Sequence, residues 1–133
     1  MGQPAAKEGD QIVATDTHIV MVPAGSGVVP TPLPHPFTGI LNGDLSSTVN
    51  IMGKPAAMVG STAENTPSHI PTPPGTSFQS PPGNQGKITL GSQTVRINGK
   101  AAARAGDAAE TCNDPADAPV GQVIAVGTVS IGG

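Results

Sequence analysis

The sequence predicts an all-β domain with internal threefold repetition, and three observations lead to this prediction. Short runs rich in Val, Ile and Thr recur along the chain and are typical of strands. Glycine and proline take 18 and 15 of the 133 positions, which suits a chain with many turns. One phrase of glycine, proline and alanine is written three times. With a net charge of only −3, disorder is disfavoured, and we expect one β-domain over residues 1–133.

The repeated phrase occurs near residues 2–10, 53–61 and 99–107, as GQPAAKEGD, GKPAAMVGS and GKAAARAGD. Each copy follows the pattern G-[KQ]-[PA]-A-A-x-x-G-[DS]. A phrase that returns along a chain is typical of repeat architecture. Glycine allows close approach of neighbouring chains, and Pro-Ala-Ala is compact. Three such units could therefore pack around a common axis.

Alternating strands are predicted next to the repeats. Residues 48–52 and 94–98 alternate apolar and polar side chains just before the second and third copies. The first copy begins at residue 2, so we expect residues 121–131 to pair in the equivalent place and to tie the two ends of the chain together. After the first copy, residues 11–14 and 18–22 are predicted as two short strands joined by a turn at Thr15-Asp16-Thr17.

Two proline-rich segments, residues 30–37 and 71–78, separate the repeats. They resemble low-complexity linkers. However, each proline run ends near a phenylalanine, Phe37 or Phe78. Stiff proline backbone loses little entropy when it docks. We therefore predict ordered loops, each anchored by its aromatic side chain.

The composition narrows the classes of function. Six Lys and Arg stand against nine Asp and Glu, with no basic run, and Trp and Tyr are absent, so nucleic-acid binding is disfavoured. No apolar run approaches the roughly 18 residues of a membrane span. The chain starts without a basic and then apolar leader, so we expect synthesis in the cytoplasm without a signal peptide.

A thin core is expected, because only 2% of the residues are aromatic. Chains with thin cores usually rely on disulfides, a metal ion or a partner. Cys112 is the only cysteine, which excludes a disulfide within the chain. A metal ion or a partner protein remains.

Three histidines and one cysteine are the candidate metal ligands. His18 follows Gly9 by nine residues and His69 follows Gly60 by nine, while Cys112 follows Gly106 by six; the remaining histidine, His35, lies in the first proline-rich segment. A structural zinc site takes four such ligands, which is the inventory of this chain. The alternative is that they are isolated, with exposed histidines and a buried thiol that acts as a small hydrophobe.

The motifs resemble those of a known family. PAAK at 4–7, PAAM at 55–58 and AAAR at 101–104 resemble the Pro-Ala-Ala-Arg motif of the PAAR-repeat proteins, which form the spike tips of contractile injection systems. PHPFTG at 34–39, followed by a strand and by NIMGKPAA at 50–57, is similar to the central region of that family. The resemblance extends over essentially the whole chain, but no copy is a complete Pro-Ala-Ala-Arg. Any role of the motif's arginine is therefore in doubt.

The resemblance implies a small cone with pseudo-threefold symmetry, built from short strands, hairpins and ordered Pro/Gly-rich loops, with zinc near its vertex. Transferred residue by residue, the zinc ligands would be His18, His35, His69 and Cys112. The base would dock on a trimeric β-helical spike protein, VgrG or its phage-like equivalent, with one monomeric chain on each trimer. The tip would sharpen the spike for membrane puncture, offer a place for effector cargo, and travel with the particle to the target cell or the extracellular space.

Two rival functions are a free-standing zinc-stabilised β-scaffold for another partner, such as an effector, and a zinc hydrolase. Catalytic zinc keeps one coordination position open, whereas four protein ligands would close the site. A Cys112 nucleophile is disfavoured because a metal-bound thiolate is not free to attack. We therefore expect a structural protein without enzymatic activity. The parent machine could be a type VI secretion system, an extracellular phage-tail-like particle or a phage tail.

Overall fold

The computed structural model describes residues 2–132, and in this range the chain is all-β, as predicted. Residues 1 and 133 of the predicted domain lie outside the described residues. None of the described segments forms a helix that could cross a membrane. The strands are β1 (Gln3–Pro4), β2 (Gln11–Ala24), β3 (Gly27–Gly43), β4 (Asn50–Ile51), β5 (Lys54–Pro55), β6 (Thr62–Asn65), β7 (Ser77–Phe78), β8 (Gln85–Ile88), β9 (Arg96–Ile97), β10 (Lys100–Ala101), β11 (Ala108–Thr111), β12 (Ala118–Ile124) and β13 (Ser130–Ile131).

Six strands close into a ring. The main sheet has the order β12-β11-β8-β6-β3-β2-β7, and β12 also pairs with β2. All of these pairings are antiparallel. Closure removes most of the free edges that invite aggregation.

Phe37 occupies the interior of this ring and is 1% exposed. Two glycines give its ring the space that it needs, because a Cβ at Gly39 would lie 2.8 Å from the Phe37 ring and a Cβ at Gly86 3.2 Å from it. Small and branched apolar side chains complete the core around it, among them Ile12, Leu41 and Ile88. One aromatic residue therefore fills much of a core that the composition predicted to be thin.

The long hairpin β2-β3 corrects one prediction. The turn predicted at residues 15–17 is wrong, because β2 runs without interruption from Gln11 to Ala24. The two threonines of this stretch favour extended backbone. Asp16 lies directly across from His35 on β3 and is completely buried. Its side chain has partners from other elements, so it does not need the local turn in which aspartate is usually found.

The first proline-rich segment, residues 30–37, is part of β3 and not a loop, so that part of the loop prediction is wrong. Prolines stand at alternate positions, 30, 32, 34 and 36. Alternate N–H groups in a strand point to opposite edges, so prolines with this spacing remove donors from one edge only. The pairing with β2 is continuous along the segment. The prolines therefore leave the β2 ladder intact and protect the other edge of β3.

Three small two-stranded pairs lie beside the repeat motifs; two are hairpins and the third is made by the two ends of the chain, and we call all three the hairpins. β4 pairs with β5, β9 pairs with β10, and β13 pairs with β1. The predicted pairing of a C-terminal segment with the first repeat is thus confirmed for Ser130–Ile131. The residues leading out of each hairpin form the Ala-Ala part of the motif. Each hairpin therefore delivers its motif to the same region of the molecule.

The motifs are joined in a closed cycle with one common register. In each motif, the residue after the two alanines pairs with the first alanine of the next motif: Lys7 with Ala56, Met58 with Ala102, and Arg104 with Ala5. The second alanines make another cycle, in which Ala57 N–H donates to Ala6 O, Ala103 N–H to Ala57 O, and Ala6 N–H to Ala103 O, at 3.0 to 3.1 Å. All three of these alanines are completely buried. The repetition in the sequence is thus a repetition of contacts around one centre.

The chain direction separates the motif cycle from the far end of the long hairpin. β2 leaves the first motif at Gln11. His18 lies seven residues further along it, which corresponds to about 23 Å of extended chain. The three hairpins and His18 therefore lie towards opposite ends of the molecule.

Candidate metal centre

A buried group of four potential ligands lies beside β2. The ligand atoms of Asp16, His18, His69 and Cys112 all lie within 4.8 Å of one another. These residues come from three parts of the chain, each of which follows one repeat motif. Three of the four ligands predicted from the sequence, His18, His69 and Cys112, are therefore brought together.

Local structure explains the convergence. Asp16 and His18 are two residues apart on β2, so their side chains lie on the same face. Cys112 directly follows β11, and His69 lies four residues beyond the end of β6. Since β6 and β11 are joined through β8 in the closed ring, the two strand ends meet beside β2. The segments that follow the three motifs thus converge through the sheet.

His18 is the member of the group whose ring nitrogens have no hydrogen-bond partner among the described residues. Its side chain is 1% exposed. The nearest carboxylate oxygen, Asp114 Oδ2, lies 3.4 Å from Nδ1, but it accepts instead from the Ile19 N–H at 2.8 Å. Buried polar atoms without a partner are rare and costly. A metal ion would satisfy one of these nitrogens, so the histidine fits a metal site.

Asp16 is the centre of the polar network in this group. Its Oδ1 accepts from the Thr111 hydroxyl and lies 3.4 Å from the Asn113 amide nitrogen. Its Oδ2 lies 2.8 Å from His69 Nε2 and 3.4 Å from Cys112 Sγ. One carboxylate oxygen therefore contacts two of the predicted ligands, while the other holds the side chain in place.

The tautomer of His69 follows from its neighbours. The Asn65 amide nitrogen lies 3.2 Å from Nδ1, and an amide NH₂ group can only donate. Nδ1 is therefore the acceptor, and Nε2 carries the proton that is donated to Asp16. The backbone N–H of His69 also donates to Asn84 Oδ1 at 2.8 Å. These bonds fix both the position and the ring orientation of His69.

Cys112 carries a protonated thiol in this arrangement. Burial, together with the nearby Asp16 carboxylate, raises the pKa of the Cys112 thiol to about 11. A thiolate is the form that binds metal, so binding must release this proton. Without a metal ion the residue is a poor nucleophile at neutral pH.

His35, the fourth predicted ligand, lies next to the group but is otherwise engaged. Its ring centre is 5.4 Å from that of His18 and 5.5 Å from that of His69. Its Nδ1 lies 2.9 Å from Leu33 O, and its Nε2 accepts from the Thr72 N–H at 3.1 Å. Burial lowers the pKa of His35, although the hydrogen bond to Leu33 opposes this shift. His35 is therefore neutral at pH 7, and its role as a ligand stays a prediction.

Phe78 covers the group from the strand β7. Its ring centre is 5.8 Å from His18 and 5.3 Å from His35. β7 pairs with β2 at Val20 and Met21, just beyond His18. The aromatic ring thus lies over two imidazoles and limits the access of water to them.

Asp16 is the residue that the sequence analysis missed. Asp16 and His18 form an Asp-x-His pair on one face of β2, whereas the sequence predicts a turn there. All four residues from Thr15 to His18 are polar, so no alternation of apolar and polar residues marks this face in the sequence. With Asp16 included, five potential ligands lie around a site that would take four.

The donor set suits a metal ion. Imidazole and thiolate favour zinc and related transition metals over calcium or magnesium. The group is buried, and Asp16 contacts both His69 and Cys112 before any ion binds. Comparison with models of protein families gives no match, and comparison with curated proteins gives none either. The residues of this buried group could hold a metal ion.

Proposed function

We propose that this chain is a structural tip, without enzymatic activity, that caps the trimeric spike of a contractile injection system and is stabilised by a zinc ion. The observation that carries the proposal is the closed cycle of the three motifs. Equivalent residues make equivalent hydrogen bonds around one centre, with Ala5, Ala56 and Ala102 donating to Val129, Val49 and Val95 at 2.9 to 3.0 Å. A single chain with this pseudo-threefold arrangement presents three similar faces.

Symmetry explains why such a chain would suit a trimer. A trimeric protein offers three identical surfaces around its axis, and an ordinary monomer could match only one of them. Three equivalent hairpins in one monomer can match all three at once. We therefore infer a stoichiometry of one chain on each trimer, with the hairpins facing a VgrG-like spike protein.

The hairpin end carries exposed apolar side chains that support this docking. Met52 is in the turn of one hairpin, and Val95 and Val129 occupy equivalent places before two others. They are 52%, 36% and 40% exposed, and Val126 nearby is 72% exposed. Exposed apolar residues that cluster on one end of a protein mark an interaction surface.

The zinc ion would occupy the opposite end, near the vertex of the proposed cone. His18, His69 and Cys112 would hold it, with His35 as the fourth ligand that the family resemblance implies. Structural zinc supplies folding free energy to small domains, on the order of 10 kcal/mol. Such a contribution suits a narrow point, where a large apolar core has no room.

Assembly would place the chain at the end of the particle, in transient contact with the target membrane and with a possible attachment of effector cargo. Delivery would be to the target cell or the extracellular space.

The alternative function is a free-standing zinc-stabilised scaffold that binds another partner or effector. Both functions use the same metal centre, and only the tip requires a trimeric partner. A zinc hydrolase is disfavoured because four protein ligands would leave no open position.

The test is to mix the purified chain with a trimeric VgrG-like spike protein and to measure the mass of the complex by native mass spectrometry. The expected complex has one chain on one trimer. The double variant Val95→Asp/Val129→Asp is expected to lose it, whereas Val120→Asp, at a site 50% exposed on β12 away from the hairpins, is expected to keep it. No complex, or three chains on each trimer, would contradict the proposal.

A further inference from the structure

One segment both covers the buried group and contributes to it. Residues 66–76 connect β6 to β7, and we call them the strap. Thr66 and Thr76 fasten its two ends, since their N–H groups donate to Thr38 O at 3.0 Å and to Met21 O at 2.9 Å. Four of its eleven residues are prolines, so it has only seven backbone N–H groups. Each hydrogen bond between the strap and the rest of the protein therefore supplies a large part of the strap's attachment.

Thr72 fastens the middle of the strap. Its hydroxyl donates to Pro34 O at 2.9 Å, and its N–H donates to His35 Nε2 at 3.1 Å. The other ring nitrogen of His35 lies 2.9 Å from Leu33 O. A carbonyl can only accept, so Nδ1 carries the proton and Nε2 offers the lone pair. The Thr72 N–H is bound to the one lone pair that this imidazole has.

A neutral imidazole cannot share that lone pair between a metal ion and an N–H donor. His35 lies beside the buried group, since its ring centre is 5.4 Å from that of His18 and 5.5 Å from that of His69. The bond from Nδ1 to Leu33 O is the kind of contact that orients a metal-binding histidine. What occupies Nε2 in this structure is the strap.

We propose that zinc and the strap compete for His35 Nε2, so that zinc binding releases the Thr72 amide and loosens the middle of the strap. This inference rests on the zinc centre of the proposed function. The strap has room to move, because a cleft of about 330 Å³ lies between it and β3 and is lined by His35, His69 and the strap's own residues. The ends of the strap, at Thr66 and Thr76, stay fastened to backbone carbonyls.

The consequence is a surface that differs between the metal-free and the zinc-loaded protein. Ile70, on the strap, is 76% exposed and lies two residues from Thr72. When the Thr72 amide is released, only the hydroxyl bond of Thr72 to Pro34 O still holds this residue. Zinc loading would therefore be visible on the outside of the molecule, beside the metal site.

The first experiment measures hydrogen exchange of single backbone amides by NMR in the ¹⁵N-labelled full chain, without metal and with one equivalent of zinc. The Thr72 amide is expected to exchange at least about tenfold faster with zinc, because it loses an acceptor and meets water. The Thr66 amide, bound to Thr38 O, is the internal control and keeps its rate. His18→Ala, which removes a ligand but leaves His35 and the strap intact, is expected to show no such acceleration.

The second experiment uses the reciprocity of coupled binding. If zinc weakens the strap, then a weaker strap must strengthen zinc binding by the same factor. Thr72→Val removes the hydroxyl bond to Pro34 O but keeps the N–H. Zinc is expected to bind this variant about two- to tenfold more tightly in a competition assay with a chelator, which is the effect of one hydrogen bond. An unchanged or weaker affinity would contradict the competition.

The outcomes separate this inference from the function on which it rests. Zinc that binds while the Thr72 amide keeps its exchange rate would overturn the competition and leave the zinc centre standing, with the ion held by Asp16, His18, His69 and Cys112. A chain that binds no zinc at all would overturn both. Binding with a faster Thr72 amide supports both.

Discussion

The backbone N–H of Ala57 donates to the carbonyl oxygen of Ala6 at 3.0 Å, and this bond joins two copies of one sequence motif at the centre of the molecule. Ala103 completes the cycle with both of them. All three side chains are completely buried, so three methyl groups occupy the space around the centre. A larger side chain at any of these positions would have to push the motifs apart.

We therefore expect Ala57→Leu to destabilise the protein by about 1–3 kcal/mol or more, since overpacking a tight core costs that much. Urea unfolding followed by circular dichroism measures the change. The matched control is Ala24→Leu, at an exposed position at the end of β2, where little change is expected. If both variants unfolded at the same urea concentration, the centre would not be tightly packed.

The three isoleucines of the hairpins offer a test of the repetition. Ile51, Ile97 and Ile131 occupy the same register position in their hairpins and are 7%, 6% and 7% exposed. Truncation of each to alanine is expected to cost about 2–5 kcal/mol, with the three values close to one another. Denaturant unfolding of the three variants side by side measures this. If truncation of one isoleucine left the free energy of unfolding unchanged, the three hairpins would not be structurally equivalent.

The repeated motif and its preceding strands could be predicted because they depend on local pattern: period-two alternation and a recurrent phrase. The prediction of a turn at residues 15–17 failed for a non-local reason. Asp16 is stabilised inside a strand by Thr111, Asn113 and His69, which lie far away in sequence. The same long-range contacts make Asp16 part of the buried group. Three of the four ligands predicted from the sequence therefore lie in the buried group, and Asp16, the carboxylate that contacts two of them, was not among the predicted ligands.

The loop prediction for residues 30–37 failed for a related reason, because the segment contains alternate prolines. They disfavour strands in general, and only the neighbouring strands decide whether the missing N–H groups matter. In β3 the pairing with β2 is continuous through residues 30–37, so the prolines do not interrupt it. A single sequence does not reveal on which edge of a strand its partner lies.

The raised pKa of Cys112 predicts how the stability of the metal-free protein depends on pH. The folded protein holds the thiol proton up to about pH 11, whereas the ordinary pKa is 9.0. This contribution to stability is therefore fully present below about pH 9 and is lost as the pH rises towards 11. The urea midpoint of the wild type is expected to fall more steeply than that of Cys112→Ala over this range. The lysines titrate in both proteins, so parallel curves would show that the thiol does not contribute.

His18 and His35 are both buried and differ in one respect that separates stability from metal binding. The ring nitrogens of His18 have no hydrogen-bond partner among the described residues, whereas both ring nitrogens of His35 contact backbone groups, of Leu33 and Thr72. Without metal, His18→Leu is expected to stabilise the protein by about 1 kcal/mol, because an unsatisfied buried polar group costs about 1–3 kcal/mol. His35→Leu is expected to destabilise it, since it leaves the Thr72 N–H without its acceptor.

With zinc present, the wild type is expected to become more stable than His18→Leu. The wild type gains thermal stability from the ion, whereas His18→Leu gains little or none. Differential scanning calorimetry with a chelator and with zinc measures both effects, and a His18→Leu variant that is less stable than wild type in the chelator would mean that the imidazole makes a favourable contact when no metal is bound.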